Sequence, residues 1–121
     1  MKKKILSVDD SPSIRQMVKL TLSGAGYEVS EASNGVEGLA KAQSSPVDMV
    51  VTDLNMPMMN GLSLIRELRK LSAYRGVPIL FLTTESDAGL KQQAKAAGAT
   101  GRITKPFQQD QLLAVVKKVL G

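Results

Sequence analysis

Five short apolar runs alternate with five stretches of helical spacing along the whole chain, and this alternation limits the fold more than any other feature. Ile5 to Val8 is the first run and stops at Asp9-Asp10. Ser11-Pro12 then reads as N-cap and first helical position, and Ile14, Met17, Val18 and Leu22 follow at helical spacing until Gly24 and Gly26. Tyr27 to Glu31 is a second strand, and Asn34 caps a helix carrying Val36, Leu39 and Ala40. Ser44-Ser45-Pro46 breaks the chain before a strand over Val47 to Thr52, closed by Asp53. A loop from Leu54 to Gly61 leads into a helix with Leu62, Ile65 and Leu68 on one side. Val77 to Leu82 is the most apolar strand, ending at Thr83, and Ser86 caps a helix to about Ala97. Thr100 to Thr104 is a weaker strand before Lys105-Pro106, and Leu112, Leu113, Val116, Val119 and Leu120 mark the last helix.

Strands whose apolar residues run consecutively are buried on both faces. Strand-helix alternation with right-handed crossovers then predicts an α/β fold: a parallel sheet with helices on each side. A Rossmann half is the competing topology, but its Gly-rich first turn is replaced here by Asp9-Asp10-Ser11-Pro12. A length of 121 residues fits one domain, and no linker or internal repeat interrupts it.

Composition removes whole classes of function. There is no Cys and no His, which excludes disulfide scaffolds, Cys/His zinc sites, thiol catalysis and a Ser-His-Asp triad. No apolar run approaches the roughly 20 residues of a membrane span, and Lys2, Lys3 and Lys4 do not introduce a signal peptide. A net charge of +5 admits nucleic acid as a partner. The charges are scattered, however, and Tyr27, Tyr74, Phe81 and Phe107 are too few for a base-stacking surface, so no nucleic acid is expected.

In doubly wound sheets, ligands bind beyond the carboxyl ends of the strands. Here those ends carry Asp9 and Asp10, Asp53, Thr83 and Lys105, while Glu31 at the end of the second strand falls outside the cluster. At about 4 Å and an effective dielectric near 20, each carboxylate pair costs about 4 kcal/mol, so either some of them protonate or a cation offsets them. Three carboxylates against Lys105 leave a net double negative charge, which suits one divalent ion. Oxygen ligands without His or Cys point to Mg²⁺, held by Asp9, Asp10 and Asp53 with the backbone carbonyl of Asn55. Such a site fits phosphoryl transfer, with Asp53 as the nucleophile and Thr83 and Lys105 on the phosphoryl oxygens. Taken singly, each residue also has a plain reading. Asp9-Asp10 can cap a helix, Asp53 and Lys105 can sit in turns, and Met56, Met58 and Met59 fit loop packing better than a partner surface. Their combination at successive strand ends is what carries the specificity.

Val8-Asp9-Asp10-Ser11, Thr52-Asp53-Leu54-Asn55-Met56-Pro57 with Gly61, Leu82-Thr83, Ala96-Ala97-Gly98-Ala99 and Thr104-Lys105-Pro106-Phe107 span nearly the whole chain. Together they resemble the response-regulator receiver domain, the CheY-like superfamily of two-component signalling. The resemblance implies a single flavodoxin-like (βα)5 domain over residues 1–121, with strand order 2-1-3-4-5 and no output domain. It implies that Asp53 takes its phosphoryl group from a histidine kinase in the presence of Mg²⁺, and that Lys105-Pro106 carries a cis peptide. It places the chain in the cytoplasm as a monomer. A CheA-like kinase would stand upstream, and a protein target such as the flagellar motor switch would dock near the fourth helix, fifth strand and fifth helix.

Ser11-Pro12-Ser13-Ile14-Arg15-Gln16-Met17, Asn55 and Glu85 resemble the chemotaxis subgroup. The side chains of Asn55 and Glu85 would flank the phosphoryl group and tune its hydrolysis, as in regulators that lose phosphate quickly. Two positions depart from that subgroup. Arg102 stands three residues before the lysine, where a rotating Tyr or Phe is usual, and Thr84 follows the threonine where a small residue is usual. Both bear on the readout of activation rather than on the phosphoacceptor chemistry. A phosphate sink or a relay shuttle outside the motor is the alternative role. A Mg²⁺-dependent phosphohydrolase would need an acid/base Asp where Asn55 stands. A flavin carrier would need a phosphate loop where the aspartates stand. The expectation is therefore a switch with autocatalytic phosphotransfer and weak self-dephosphorylation, not an enzyme.

Overall fold

The computed structural model describes residues 2–84 and 88–120. Its elements run in chain order as β1 (Lys4–Val8), α1 (Pro12–Gly24), β2 (Glu28–Ala32), α2 (Gly35–Ser44), β3 (Met49–Asp53), α3 (Gly61–Lys70), a 3-10 turn (Ser72–Tyr74), β4 (Ile79–Thr84), α4 (Ala88–Ala97), β5 (Gly101–Lys105) and α5 (Gln109–Leu120). The five strands form one parallel sheet in the order β2-β1-β3-β4-β5. This is the flavodoxin-like architecture, with the predicted strand order.

Neighbouring residues within each strand face opposite layers, which explains the unbroken apolar runs. Leu6, Val8, Val50, Ile79 and Phe81 pack with Leu64, Leu68, Ala42 and Ala94 beneath α2, α3 and α4. Ile5, Met49, Val51, Leu80, Leu82 and Ile103 pack with Val18, Leu22, Leu112 and Val116 beneath α1 and α5. The site edge thus rests on strands that are clamped from both sides.

Local chemistry sets the boundaries. Ser11 caps α1 by accepting the Ile14 N–H, with Pro12 at the first helical position. The chain leaves α1 through Gly26 at φ +100°. Asn34 caps α2 and Asn60 caps α3, each accepting the N–H three residues on. Ser86, the predicted cap of α4, lies outside the described residues. β2 to β5 sit one or two residues later than the apolar pattern suggests, with β3 beginning at Met49 and β4 running Ile79–Thr84, whereas β1 begins one residue earlier, at Lys4. The ladder explains the shift, because Val50 pairs with Ile79 and Thr84 still pairs with Lys105. Hydrophobicity stops at Leu82, whereas pairing continues through two threonines. The 3-10 turn is the element without an apolar signature. It is held by the buried Tyr74, whose hydroxyl donates to the Ala42 carbonyl at 2.6 Å and accepts the Val47 N–H at 3.2 Å.

Candidate phosphoacceptor site

At the carboxyl edge of the sheet, Asp9, Asp10 and Asp53 each present a carboxylate oxygen within 4.8 Å of the others. Asp9 follows β1, Asp53 ends β3, and β1 and β3 are hydrogen-bonded neighbours. Asp9 and Asp53 are buried, while Asp10 is exposed. Lys105 ends β5, and its ammonium crosses to within 3.2 Å of Asp53 Oδ1 and 4.0 Å of Asp9 Oδ2. Thr83 is buried in β4, paired with Thr104, and its hydroxyl donates to the Thr84 carbonyl at 3.4 Å.

Each buried carboxylate is held by backbone. Asp53 Oδ1 accepts the Leu54 N–H at 2.9 Å, and its carbonyl accepts the Thr52 hydroxyl at 2.8 Å. Gly61 packs so closely there that a Cβ would lie 2.0 Å from the Asp53 carbonyl oxygen. The loop between β3 and α3 is thereby folded back, with the Gly61 N–H donating to Leu54 at 2.9 Å. Met56 and Met59 pack against the core, as expected, but Met58 is 78% exposed at φ +67°. Asp9 Oδ1 accepts the Ser11 N–H at 2.9 Å. Asp9 Oδ2 is buried with no hydrogen-bond partner among the described residues.

Burial raises the Asp9 pKa above its ordinary value; the Asp53 and Asp10 charges push the same way, against the Ser11 N–H and Lys105. An orphaned, desolvated carboxylate oxygen beside two further carboxylates fits a hard divalent cation. The donor set is oxygen only, as Mg²⁺ requires.

Asn55 is exposed, immediately after Asp53-Leu54. Thr84 is exposed at the end of β4, level with Lys105 in the sheet register. The Lys105-Pro106 peptide is cis. Arg102 is exposed on β5, lining a groove with Phe81, Lys91 and Lys95, and no hydrogen bond or ion pair reaches its side chain from the described residues. Glu85 lies outside the described residues. Glu31 is separate from the acidic cluster and faces Arg15 and Lys19. Arg15 itself reaches back to the Asp9 carbonyl, a contact that motif spacing did not reveal.

The model of the response regulator receiver domain matches residues 5–117. This chain belongs to that family. It is 41% identical over 120 residues to the chemotaxis protein CheY1 of Helicobacter pylori, covering 98% of this chain and 97% of that protein. Among solved structures, the chemotaxis response regulator CheY4 of Vibrio cholerae superposes with a TM-score of 0.94 at 49% identity, covering 98% of this receiver and 99% of that chain. The receiver domain of the sensor histidine kinase PA1611 from Pseudomonas aeruginosa superposes with a TM-score of 0.89 at 27% identity, over 98% of this chain and 97% of that one. That structure is described with a magnesium ion coordinated in the active site cleft. A CheY-like receiver is a component of two-component signalling, a switch rather than a dedicated enzyme. Among the described residues, no helix is long and apolar enough to cross a membrane.

Proposed function

We propose that this receiver takes a phosphoryl group onto Asp53 from a histidine kinase and thereby switches a protein-binding surface in chemotaxis. The observation that carries the reading is Asp53 itself, buried at the end of β3 with Lys105 at 3.2 Å and two further aspartates beside it. Asp53 Oδ1 is occupied by the Leu54 N–H and Lys105, which leaves Oδ2 to attack. A new P–O bond forms to Oδ2 as the P–N bond of the donor phosphohistidine breaks, and the electron pair returns to the imidazole nitrogen. Lys105 offsets charge on the phosphoryl oxygens, and the Thr83 hydroxyl turns from the Thr84 carbonyl to donate to one of them. Asp9, Asp10 and Asp53, with the Asn55 carbonyl, hold Mg²⁺. When bound, that ion supplies positive charge to the transferring group.

The added charge draws Thr83 and Lys105 inward and moves the ends of β4 and β5. Thr84, exposed at the end of β4, and Arg102, exposed near the start of β5, tune access and readout. Asn55 tunes hydrolysis of the acyl phosphate, and so does Glu85. The upstream donor is a CheA-like kinase, the setting is the cytoplasm, and the receiver acts over residues 1–121 as a monomer. The flagellar motor switch is the downstream target on this reading, supported by similarity to chemotaxis proteins of known name. Arg102 favours a second role, as a phosphate sink or relay shuttle, because an exposed guanidinium replaces the aromatic switch side chain.

Intact mass after incubation with acetyl phosphate tests the proposal. A gain of about 80 Da that requires both Mg²⁺ and Asp53, and is absent in Asp53→Asn and in EDTA, is the expected result. No adduct and no donor turnover would overturn it. Continuous donor hydrolysis lost in Asp53→Asn would instead mark a phosphohydrolase.

A further inference from the structure

Asp9 is fixed at every polar atom except one. Its N–H donates to the Ala32 carbonyl of β2 at 3.1 Å, and Oδ1 accepts the Ser11 N–H at 2.9 Å. Its own carbonyl accepts Arg15 Nη1 at 2.6 Å, from the first turn of α1. The same guanidinium places Nε 3.5 Å from Glu31 Oε1 on β2. Glu31 is held in turn by Lys19 at 3.4 Å, and its carbonyl accepts a hydrogen bond from Lys41 Nζ. Only Asp9 Oδ2 remains without a hydrogen bond, buried and facing Lys105.

Arg15 is an improbable choice for this position on local grounds. A cation in the first turn meets the positive end of the helix dipole, and α1 has no acidic residue there to offset it. Glu31 supplies the missing negative charge from another element. The planar guanidinium can serve a carbonyl and a carboxylate at once, which a lysine ammonium does less well. Meanwhile the Asp9 carboxylate is desolvated and repelled by Asp53 and Asp10. Such a group is driven outward to water unless its backbone is held.

We propose that Arg15, clamped by Glu31, is a positioning residue that holds the Asp9 backbone so that Oδ2 stays in the metal site. The edge strand β2 contributes no ligand, yet it sets the ligand's aim. The metal consequence rests on the Mg²⁺ reading above.

The test is Mg²⁺ titration by calorimetry on the wild type, Arg15→Met, Arg15→Lys, Glu31→Gln and the Arg15→Met/Glu31→Gln double variant. Amide hydrogen exchange in EDTA runs alongside. Arg15→Met is expected to raise the Mg²⁺ Kd roughly 10- to 100-fold, the usual range for groups behind a ligand. Arg15→Lys loses less, and Glu31→Gln loses a few-fold. The double variant matches Arg15→Met within about twofold, because the two residues act as one unit. In EDTA, the Asp9 and Ser11 amides of Arg15→Met exchange about tenfold faster while core amides such as Val51 do not change. That local signature separates positioning from a general loss of stability. An unchanged Kd in Arg15→Met, or losses that multiply in the double variant, would overturn the clamp. If the wild type binds no Mg²⁺, the functional reading and the metal consequence both fall. The exchange arm then decides positioning alone, and unaltered Asp9 and Ser11 amides would refute that too.

Discussion

The ammonium of Lys105 lies 3.2 Å from Asp53 Oδ1 and 4.0 Å from Asp9 Oδ2, so one cation from β5 serves carboxylates from β3 and β1. It neutralises only part of the negative charge at the sheet edge, and it competes there with any bound divalent ion. Lys105→Met is therefore expected to tighten Mg²⁺ binding by roughly 3- to 10-fold, since a nearby repelling charge is removed. The same change is expected to lower the yield of phosphorylated Asp53, which loses its counter-charge during transfer. Calorimetric titration and intact mass measure the two effects. Weaker Mg²⁺ binding in the variant would contradict this account of Lys105.

Asp9 predicts a pH dependence with a defined sign. Its folded pKa is raised above the ordinary 3.8, chiefly by burial. Between those two values the folded chain holds a proton that the unfolded chain has released, so this group's contribution to stability falls as pH rises through that window. Above the window the cost is constant. Asp9→Asn keeps the acceptor for the Ser11 N–H and removes the charge. In EDTA at neutral pH the variant is expected to be more stable than the wild type, with Mg²⁺ binding lost. Urea midpoints of both proteins across about pH 3 to 7 report the Asp9 contribution together with its coupling to Asp53 and Asp10. A constant difference across the range would contradict the assignment.

Gly61 is required by contact rather than by backbone angle. A Cβ there would meet the Asp53 carbonyl oxygen at 2.0 Å and the Leu54 Cα at 2.9 Å. Both are backbone atoms that cannot swing aside. Gly61→Ala is expected to cost about 2–4 kcal/mol and to displace Asp53, lowering phosphorylation with it. Thermal unfolding and intact mass would show both losses together. A variant with wild-type stability would mean the loop relaxes freely.

Tyr74 offers the complementary case, stability without chemistry. Its buried hydroxyl joins the Ala42 carbonyl to the Val47 N–H, far from the acidic edge. Tyr74→Phe leaves both groups unpaired in a buried place and is expected to cost about 1–3 kcal/mol. Mg²⁺ affinity and phosphorylation should not change. A shift in either would show that the amino edge of the sheet is coupled to the site.

The alternation of apolar runs and helical spacing was enough to predict five strands, five helices and a parallel sheet, because both periods are local. Ser11-Pro12 and Asn34 announced their helices for the same reason, each cap bonding within three residues. Asn60, by contrast, stood unread in the loop before α3, and the 3-10 turn around Tyr74 had no apolar pattern to mark it. The end of β4 was placed too early because Thr83 and Thr84 belong to the strand through pairing, not through hydrophobicity.

Residue identity by itself determined the chemistry available to this protein: oxygen ligands only, three aspartates, one lysine and a threonine at strand ends. A parallel sheet must bring such ends to one edge, so their convergence followed from pattern alone. Only the tertiary structure decided which atoms remain available. Asp9 Oδ2 is left free because Ser11, Ala32 and Arg15 engage the rest of that residue. Glu31, which terminates the edge strand outside the acidic cluster, reaches the site through Arg15. Those contacts join segments distant in the chain, and their strength depends on burial and on angles set by packing. Spacing carries neither, so the cluster of carboxylates was readable in the sequence and the contacts that surround it were not.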